Sequence, residues 1–448
     1  MNFFDDLSRH LQNNRVTRRQ ALWLLGSGTL SAAGALSGCA TSPVSGKSIL
    51  VGMSEAQEKQ IDKQIAPHQF SQDLGPIQDG ELNRYVSDLG GGLDKLTHRP
   101  NMPYSYRVLN ANYMNAYTFP GGAMGVTRGL LVELQNEAEL AALWGHELGH
   151  VNARHAAQKQ GESLVAQVAV GALNIASQDS RWAGLVAIGS QIGASALLSS
   201  YSRDNEREAD ALGQEYMVRG GYPASGMATL HQHLINQEKE APGLLHTMFS
   251  THPMSQERKN NAQQLAETRY AASRNANPQR ERFMDRTARL RQLKPTIQDC
   301  AQGESALAAK KFPLAEDRLR SALKRTPQDY AANVVMAQCL MAQGRRQEAL
   351  RYAEAARTIY PQEARAHKVA GVLALELRDP GRAFQYFDQH DRLLPGNPET
   401  TFLKGVSLEG MGNRRAAAQH YSAFLRQSQS GQAAQYAQSR LKSWGYLR

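Results

Sequence analysis

His146-Glu147-Leu148-Gly149-His150 is the stretch of this 448-residue chain whose residue types and spacing point most directly to chemistry. On a helix, four steps of about 100° leave the two imidazoles about 40° apart, on one face and one turn apart. Two neutral ring nitrogens so placed can bind one zinc ion at about 2.0–2.1 Å. Glu147, one step round the helix, is close enough to accept a proton from an attacking water without being a ligand. A hydrolytic zinc site has three protein ligands and one open position, so the chain must supply one more ligand.

The short route to that ligand fails. Where a metzincin needs Gly and His after the second histidine, this chain has Ala153 and Ala156. His155 follows His146 by nine residues, which on a continuous helix turns it about 180° away, so it reads as a surface or packing histidine. The longer route works. Arg203-Asp-Asn-Glu-Arg-Glu-Ala-Asp210 opens a polar helix in which Glu206 and Asp210 are four apart and face the same way. One of these carboxylates can ligate zinc while the other orients a ligand histidine. Glu208 points elsewhere and reads as a solvated or capping charge.

Several elements must position these groups. Glu55 to Gln64 reads as a polar amphipathic helix. Tyr104 to Asn110 and Tyr113 to Phe119 alternate as short strands do, and Pro120-Gly121-Gly122 turns the chain into a third strand, Ala123 to Thr127. Asn136 is an N-cap, with Glu139 completing a capping box, and its helix is expected to run to about His155. Leu164 to Ile175 and Ala183 to Leu198 are apolar but rich in Gly, Ser and Gln, and read as buried or lid-forming helices rather than membrane spans.

Taken in order, Asn115-Ala-Tyr-Thr-Phe-Pro-Gly-Gly122, Val126-Thr-Arg-Gly-Leu130, His146 to His155, Glu206 to Asp210 and Thr251-His252-Pro253 resemble the zinc peptidases that include the HtpX, Oma-type and CAAX-prenyl proteases, and among them the soluble periplasmic BepA-like proteases. The resemblance spans about residues 45–265. It implies His146, His150 and Glu206 as ligands of one Zn2+ per chain, Glu147 as general base and acid, and Asp210 behind a ligand histidine. It also implies that His252 approaches the metal as a fourth, inhibitory ligand; the plain alternative is a turn residue where Thr-His-Pro breaks a helix. The strand near Asn115, Gly121 and Gly122 is the expected edge for an extended substrate, read through its main chain. Unfolded or misassembled envelope proteins suit such recognition.

The N-terminus reads as an address. Arg15, Arg18 and Arg19 precede a weakly apolar run that ends in Leu36-Ser37-Gly38-Cys39, which resembles a bacterial lipobox and would make Cys39 a lipidated first residue. A single spanning anchor is the alternative. Thr17-Arg18-Arg19 also resembles a twin-arginine signal, and Ala40 after the cysteine resembles sorting to the periplasmic face of the outer membrane. Cys300 and Cys339 read as buried free thiols.

At the C-terminus, Pro327, Pro361 and Pro395 recur every 34 residues, as do Ala315, Ala349, Ala383 and Ala417. Gly303, Gly371 and Gly405 occupy matching places, with Ala337 once, and Phe387 and Tyr421 fall where a large residue packs between paired helices. The pattern resembles the tetratricopeptide repeat, whose concave face suits a partner such as outer-membrane assembly machinery. Residues 296–448 carry 22 Lys+Arg against 14 Asp+Glu, and 271–295 carry 7 against 2, so the net charge of +10 is concentrated there. For an exported protein no nucleic-acid partner follows. At 41% hydrophobic and 21% charged residues, the composition excludes a polytopic membrane protein and a mainly disordered one.

The expected fold is therefore mainly α with a small antiparallel β-sheet, an α+β zincin domain, followed by an all-α repeat superhelix. The expected divisions are a signal peptide at 1–38, a linker at 39–50, a peptidase domain at 51–270, a basic connecting helix at 271–295 and the repeats at 296–448. The competing function is a chaperone-like repeat scaffold whose metal site is silent or self-inhibited.

Overall fold

The computed structural model describes residues 38–169, 201–240, 248, 252–253 and 255–447. The signal segment before Gly38, the run 183–198 and Thr251 lie outside the described residues, as does the run 164–175 beyond Ala169. The chain forms two compact units, one of Leu36–Ala166 with Ala194–Val335, the other containing Met336–Arg448. The division at 335/336 falls within the stretch expected to carry the repeats. No helix among the described residues is long and apolar enough to cross a membrane.

In the first unit, the expected linker 39–50 is instead an antiparallel hairpin, β1 (Cys39–Thr41) and β2 (Ser48–Leu50), with Cys39 exposed and opposite Leu50. Helix α1 (Glu55–Gln72) runs well past Gln64 with Pro67 inside it. Helix α2 (Gly80–Leu93) buries Leu82, Val86, Leu89 and Leu93, an i, i+4, i+7, i+11 stripe. The stripe belongs to the same core as Tyr106, Val108 and Trp144. Each such aliphatic side chain contributes about 1.5–3 kcal/mol by leaving water.

The site-bearing sheet has the order β3 (Ser105–Leu109), β5 (Ala123–Thr127), β4 (Ala116–Thr118). Only β4 pairs antiparallel to β5; β3 is parallel to it, so this sheet is mixed where an antiparallel one was expected. The Pro120-Gly121-Gly122 turn is held from outside. Asp62 of α1 accepts the Gly121 and Ala123 N–H groups, both at 2.7 Å, and burial lifts its pKa to about 7. A Cβ on Gly121 would meet the Asp62 carboxyl carbon at 2.7 Å, and Gly122 has φ +98°, so both places favour glycine.

After the short helix α3 (Arg128–Leu131) comes α4 (Glu137–Ala153), which is buried along its whole length. Asn136 caps it by accepting the Glu139 N–H. Glu139 reaches the Gln135 N–H at 2.7 Å rather than that of Asn136, so the expected box is displaced by one residue. Helices α5 (His155–Ala169), α6 (Arg203–Arg219), α7 (Ser225–Glu240) and α8 (Gln256–Glu267) follow.

The basic stretch 271–295 is not one helix but two short ones, α9 (Arg280–Arg286) and α10 (Ala288–Gln292). It is anchored rather than free: Phe283 and Leu290 join the first unit's core, Arg282 pairs with Glu137, and Arg291 binds the Val132 and Leu134 carbonyls. Helices α11 (Lys294–Ala308) and α12 (Phe312–Arg325) form a pair closed by Gly303 against Leu319.

The chain crosses between units within α13 (Tyr330–Ala342). The second unit continues with α14 (Arg346–Ile359), α15 (Ala364–Glu376), α16 (Pro380–Leu393), α17 (Pro398–Gly410), α18 (Arg414–Leu425) and α19 (Gln432–Ser443). The 34-residue pattern has a direct steric meaning. Gly371 faces the Phe387 ring and Gly405 the Tyr421 ring, where an added Cβ would stand only 2.5 and 2.7 Å away. Cys300 and Cys339 are both buried free thiols.

Candidate metal centre

Glycines set the geometry. Where α4 crosses α6, a Cβ on Gly145 would lie 2.7 Å from the Gly213 carbonyl, and one on Gly149 2.7 Å from that of Ala209. Without side chains at those points the two backbones approach closely. Each α4 glycine directly precedes a histidine or follows the motif's first one by three, so the crossing carries Glu206 to His146 and His150. His146 Nε2 lies 3.1 Å from His150 Nε2, 3.6 Å from Glu206 Oε2 and 3.2 Å from His252 Nδ1. Glu206 Oε1 lies 3.4 Å from His150 Nε2 and 3.1 Å from His252 Nδ1.

These separations test whether a cation fits. A tetrahedral zinc site with arms of about 2.0–2.1 Å has edges of about 3.3–3.4 Å between donor atoms. The separations given, 3.1–3.6 Å with Glu206 facing the histidines through both of its oxygens, lie near that spacing, and all four residues are buried. Their chemistry agrees. The Nδ1 of His146 is 2.9 Å from Asp210, so its proton sits there and Nε2 turns a lone pair inward. Burial holds the His150 pKa well below its usual value, keeping the ring neutral. Burial opposes ionisation of Glu206, yet His252 and His150 hold its pKa well below the ordinary carboxylate range. Burial likewise opposes a charge on His252, but Glu206 and Glu147 outweigh it and raise its pKa. The cage favours positive charge at its centre.

Glu147 is buried, its Oε2 has no hydrogen-bond partner, and Oε1 lies 3.9 Å from His252 Nε2. Burial, offset in part by His252 and His146, raises its pKa. Asp210 stands behind His146 as expected from the spacing, and burial there is overcome by His231 and Arg258, which hold it ionised.

Four groups around the cage were not read from the sequence. Arg258 of α8 ties Asp210 (Nε to Oδ2, 2.7 Å) to Glu206 (Nη1 to Oε2, 2.7 Å). His231 of α7 lies 3.4 Å from Asp210. The Tyr201 ring stacks on His150 at 4.0 Å and 22°. His155 is the clearest correction. Helix α4 ends at Ala153, and Arg154 takes a left-handed conformation, φ 60°. That reversal turns His155 back, so it is buried with its Nδ1 2.9 Å from His150 Nδ1, not pointing away. Its Nε2 lies 3.2 Å from Glu208, which is therefore more than a solvated charge. A consistent protonation follows: His150 donates to His155, His155 donates to Glu208, and His150 Nε2 is left bare toward the cage. An αL residue outside glycine gives little sequence signal, and Arg258, distant in sequence, gave none.

The expected substrate edge is narrower than read. Gly121 donates to Asp62 and Gly122 to the Phe119 carbonyl, so neither N–H is available. β5 is central. The outer edge belongs to β4, which follows Asn115 directly.

A His-Glu-x-x-His helix with a carboxylate from a later helix is the arrangement of a metallopeptidase. Residues 76–266 match peptidase family M48 and residues 306–373 match the tetratricopeptide repeat, so the chain carries an M48 peptidase domain followed by repeats. It is 29% identical over 231 residues to the beta-barrel assembly-enhancing protease of Yersinia pestis, covering 48% of this chain and 46% of that one. It is 31% identical over 163 residues to metalloprotease YcaL of Escherichia coli (strain K12), covering 35% and 59%. The solved MamA protein aligns at TM-score 0.32 and 15% identity over 34% of this chain and 84% of its own. The chain spans less than half the length of the assembly-enhancing proteases it matches. The M48 family implies a metal, and the His146, His150, Glu206 and His252 group is able to hold one.

Proposed function

We propose that this chain is a zinc-dependent endopeptidase that hydrolyses unfolded or misassembled envelope and outer-membrane proteins. His146, His150 and Glu206 hold the ion. Bound zinc supplies Lewis-acid polarisation of the scissile carbonyl. Glu147 takes the proton of the attacking water and returns it to the leaving amine; burial raises its pKa, the direction a proton shuttle needs. Asp210 with Arg258, and His155 with Glu208, keep the two imidazoles oriented. An extended substrate adds to β4. The bonded pairing of Asn115 with Thr127 and Phe119 with Ala123 leaves the main-chain groups of Ala116 and Thr118 directed to the outer edge.

The observation that carries this reading is the donor cage with a partnerless Glu147 oxygen beside it. In casein or unfolded-porin hydrolysis, Glu147→Gln should lose about 10²–10⁴-fold in rate while retaining zinc. Wild-type hydrolysis by that variant ends the proposal.

The rest of the reading follows the sequence. Residues 1–38 direct export, Cys39 carries the lipid at the periplasmic face of the outer membrane, and the repeats engage clients or the assembly machinery. A second reading has one specific support: His252 stands where a catalytic site keeps a position open. The chain then rests inhibited, or serves as a chaperone-like scaffold. His252→Ala should raise hydrolysis if His252 blocks the site, and unchanged turnover with unchanged zinc affinity removes that role. Full client rescue by Glu147→Gln favours the scaffold.

A further inference from the structure

In the second unit the cationic side chains fall into two populations. Between α14 and α17 most have an acidic partner: Arg346 pairs with Glu376, Arg392 with Asp388, and Lys404 with both Asp388 and Asp391. From Met411 to the last residue there are six Lys+Arg and no Asp or Glu. Arg440 reaches back to Glu409. Arg415 and Arg426 are exposed, and their side chains have no ion pair or hydrogen bond among the described residues.

These two arginines are organised. Arg415, Gln419, Ser422 and Arg426 recur at i, i+4, i+7 and i+11 and so share one face of α18 and its last turn. Together with Ala418 and the exposed Tyr446 they line a cleft of ≈ 320 Å³. Eleven helical residues at about 1.5 Å each separate the two arginine backbones by about 16 Å. A single phosphate or carboxylate does not bridge that distance. An extended chain rises about 3.3 Å per residue, so about five residues of peptide span it.

We propose that this cleft binds an extended acidic peptide segment of a partner protein. Arg415 and Arg426 take carboxylates four residues apart, which an extended chain presents on one side, each as a two-pronged hydrogen-bonded pair. Gln419 and Ser422, between them, bond the intervening main chain, and Tyr446 flanks an apolar side chain. The linear spacing, with neutral hydrogen-bonding groups between the charges, favours a peptide over an anionic lipid surface. The inference is independent of the metal centre.

The test is fluorescence anisotropy with the full chain and a labelled peptide bearing two Asp residues four apart, so that both face the same side of an extended chain, at low salt. Arg415→Ala and Arg426→Ala should each weaken binding about two- to fivefold. The Arg415→Glu/Arg426→Glu pair should weaken it more than tenfold, and a peptide with Asn for both Asp should not bind. Both residues are exposed, so these changes leave the fold intact. Equal affinity of the wild-type and charge-reversed chains overturns the proposal, as does equal binding of a peptide whose two Asp residues are adjacent. Arginine-dependent binding to phosphatidylglycerol vesicles without peptide binding also overturns it, in favour of lipid.

Discussion

The two units handle charge in opposite ways. Around the metal centre, charged groups are buried and consume one another: Arg258 is shared by Glu206 and Asp210, and Glu58 of α1 is held by both Arg99 and Arg154. In the repeats the core is made of small residues against aromatic rings; apart from the buried Lys368–Glu399 pair and the Arg440–Glu409 pair, most charge lies near the surface, as in Arg346–Glu376 and Arg392–Asp388. A buried ion network costs desolvation and pays back in positional accuracy. Repeat packing asks only that a small residue meet a large one every 34 positions. Accuracy is needed where donor atoms must stand about 3.3 Å apart, and tolerance suffices where a surface is displayed.

That contrast can be broken most forcefully at Arg258. Arg258→Ala leaves Glu206 and Asp210 facing each other without their shared cation, so about 3–5 kcal/mol of stability should be lost by denaturant unfolding, with weakened metal retention. His155→Phe is next. It removes the acceptor for His150 Nδ1, and metal affinity measured by chelator competition should fall about 10–100-fold. A wild-type affinity in a variant of unchanged helicity removes the orienting role of His155. In the repeats, Gly371→Ala drives a methyl into the Phe387 ring and should cost about 1–3 kcal/mol while metal content and affinity stay as in wild type.

The smallest expected effect depends on pH. Glu304 of α11 accepts from Asn112 at 3.0 Å, and burial raises its pKa from 4.5 to about 7. A carboxyl raised on folding adds stability that is full below its unfolded pKa and is lost as pH climbs through the folded one. Glu304→Gln keeps the acceptor and removes the charge. It should therefore match wild type near pH 4 and exceed it by about 1–2 kcal/mol above pH 7, a figure reduced because the side chain retains some exposure. A difference in melting temperature that is constant from pH 4 to 8 would contradict this.

Much of the candidate site was legible because its parts are local. His146, Glu147 and His150 lie within one helical turn and a step, and Glu206 and Asp210 share the spacing that puts them on one face. The first strand and the third were read within a residue or so of their ends, whereas the second is a regular strand only over Ala116–Thr118, and the Thr127 hydroxyl binds the Tyr113 carbonyl ahead of it. The capping box failed by one residue because Gln135 offered a competing N–H. His155 was misplaced because a nine-residue count presumes an unbroken helix. The antiparallel sheet was half right, since alternation in a strand is silent about the direction of its neighbour.

The sequence by itself determined what recurs at fixed intervals: the paired histidines, the carboxylates four apart, and the repeat of 34 residues with its glycines and rings. These follow from helical geometry, which fixes neighbours three or four positions away whatever the rest of the chain does. Only the tertiary structure decided that Gly145 and Gly149 admit the backbone of α6, that Arg258 and His231 close on Asp210, and that a left-handed turn at Arg154 returns His155 to His150. Those contacts join residues far apart in the chain or across a reversal, where the outcome depends on the packing of whole helices rather than on any local preference.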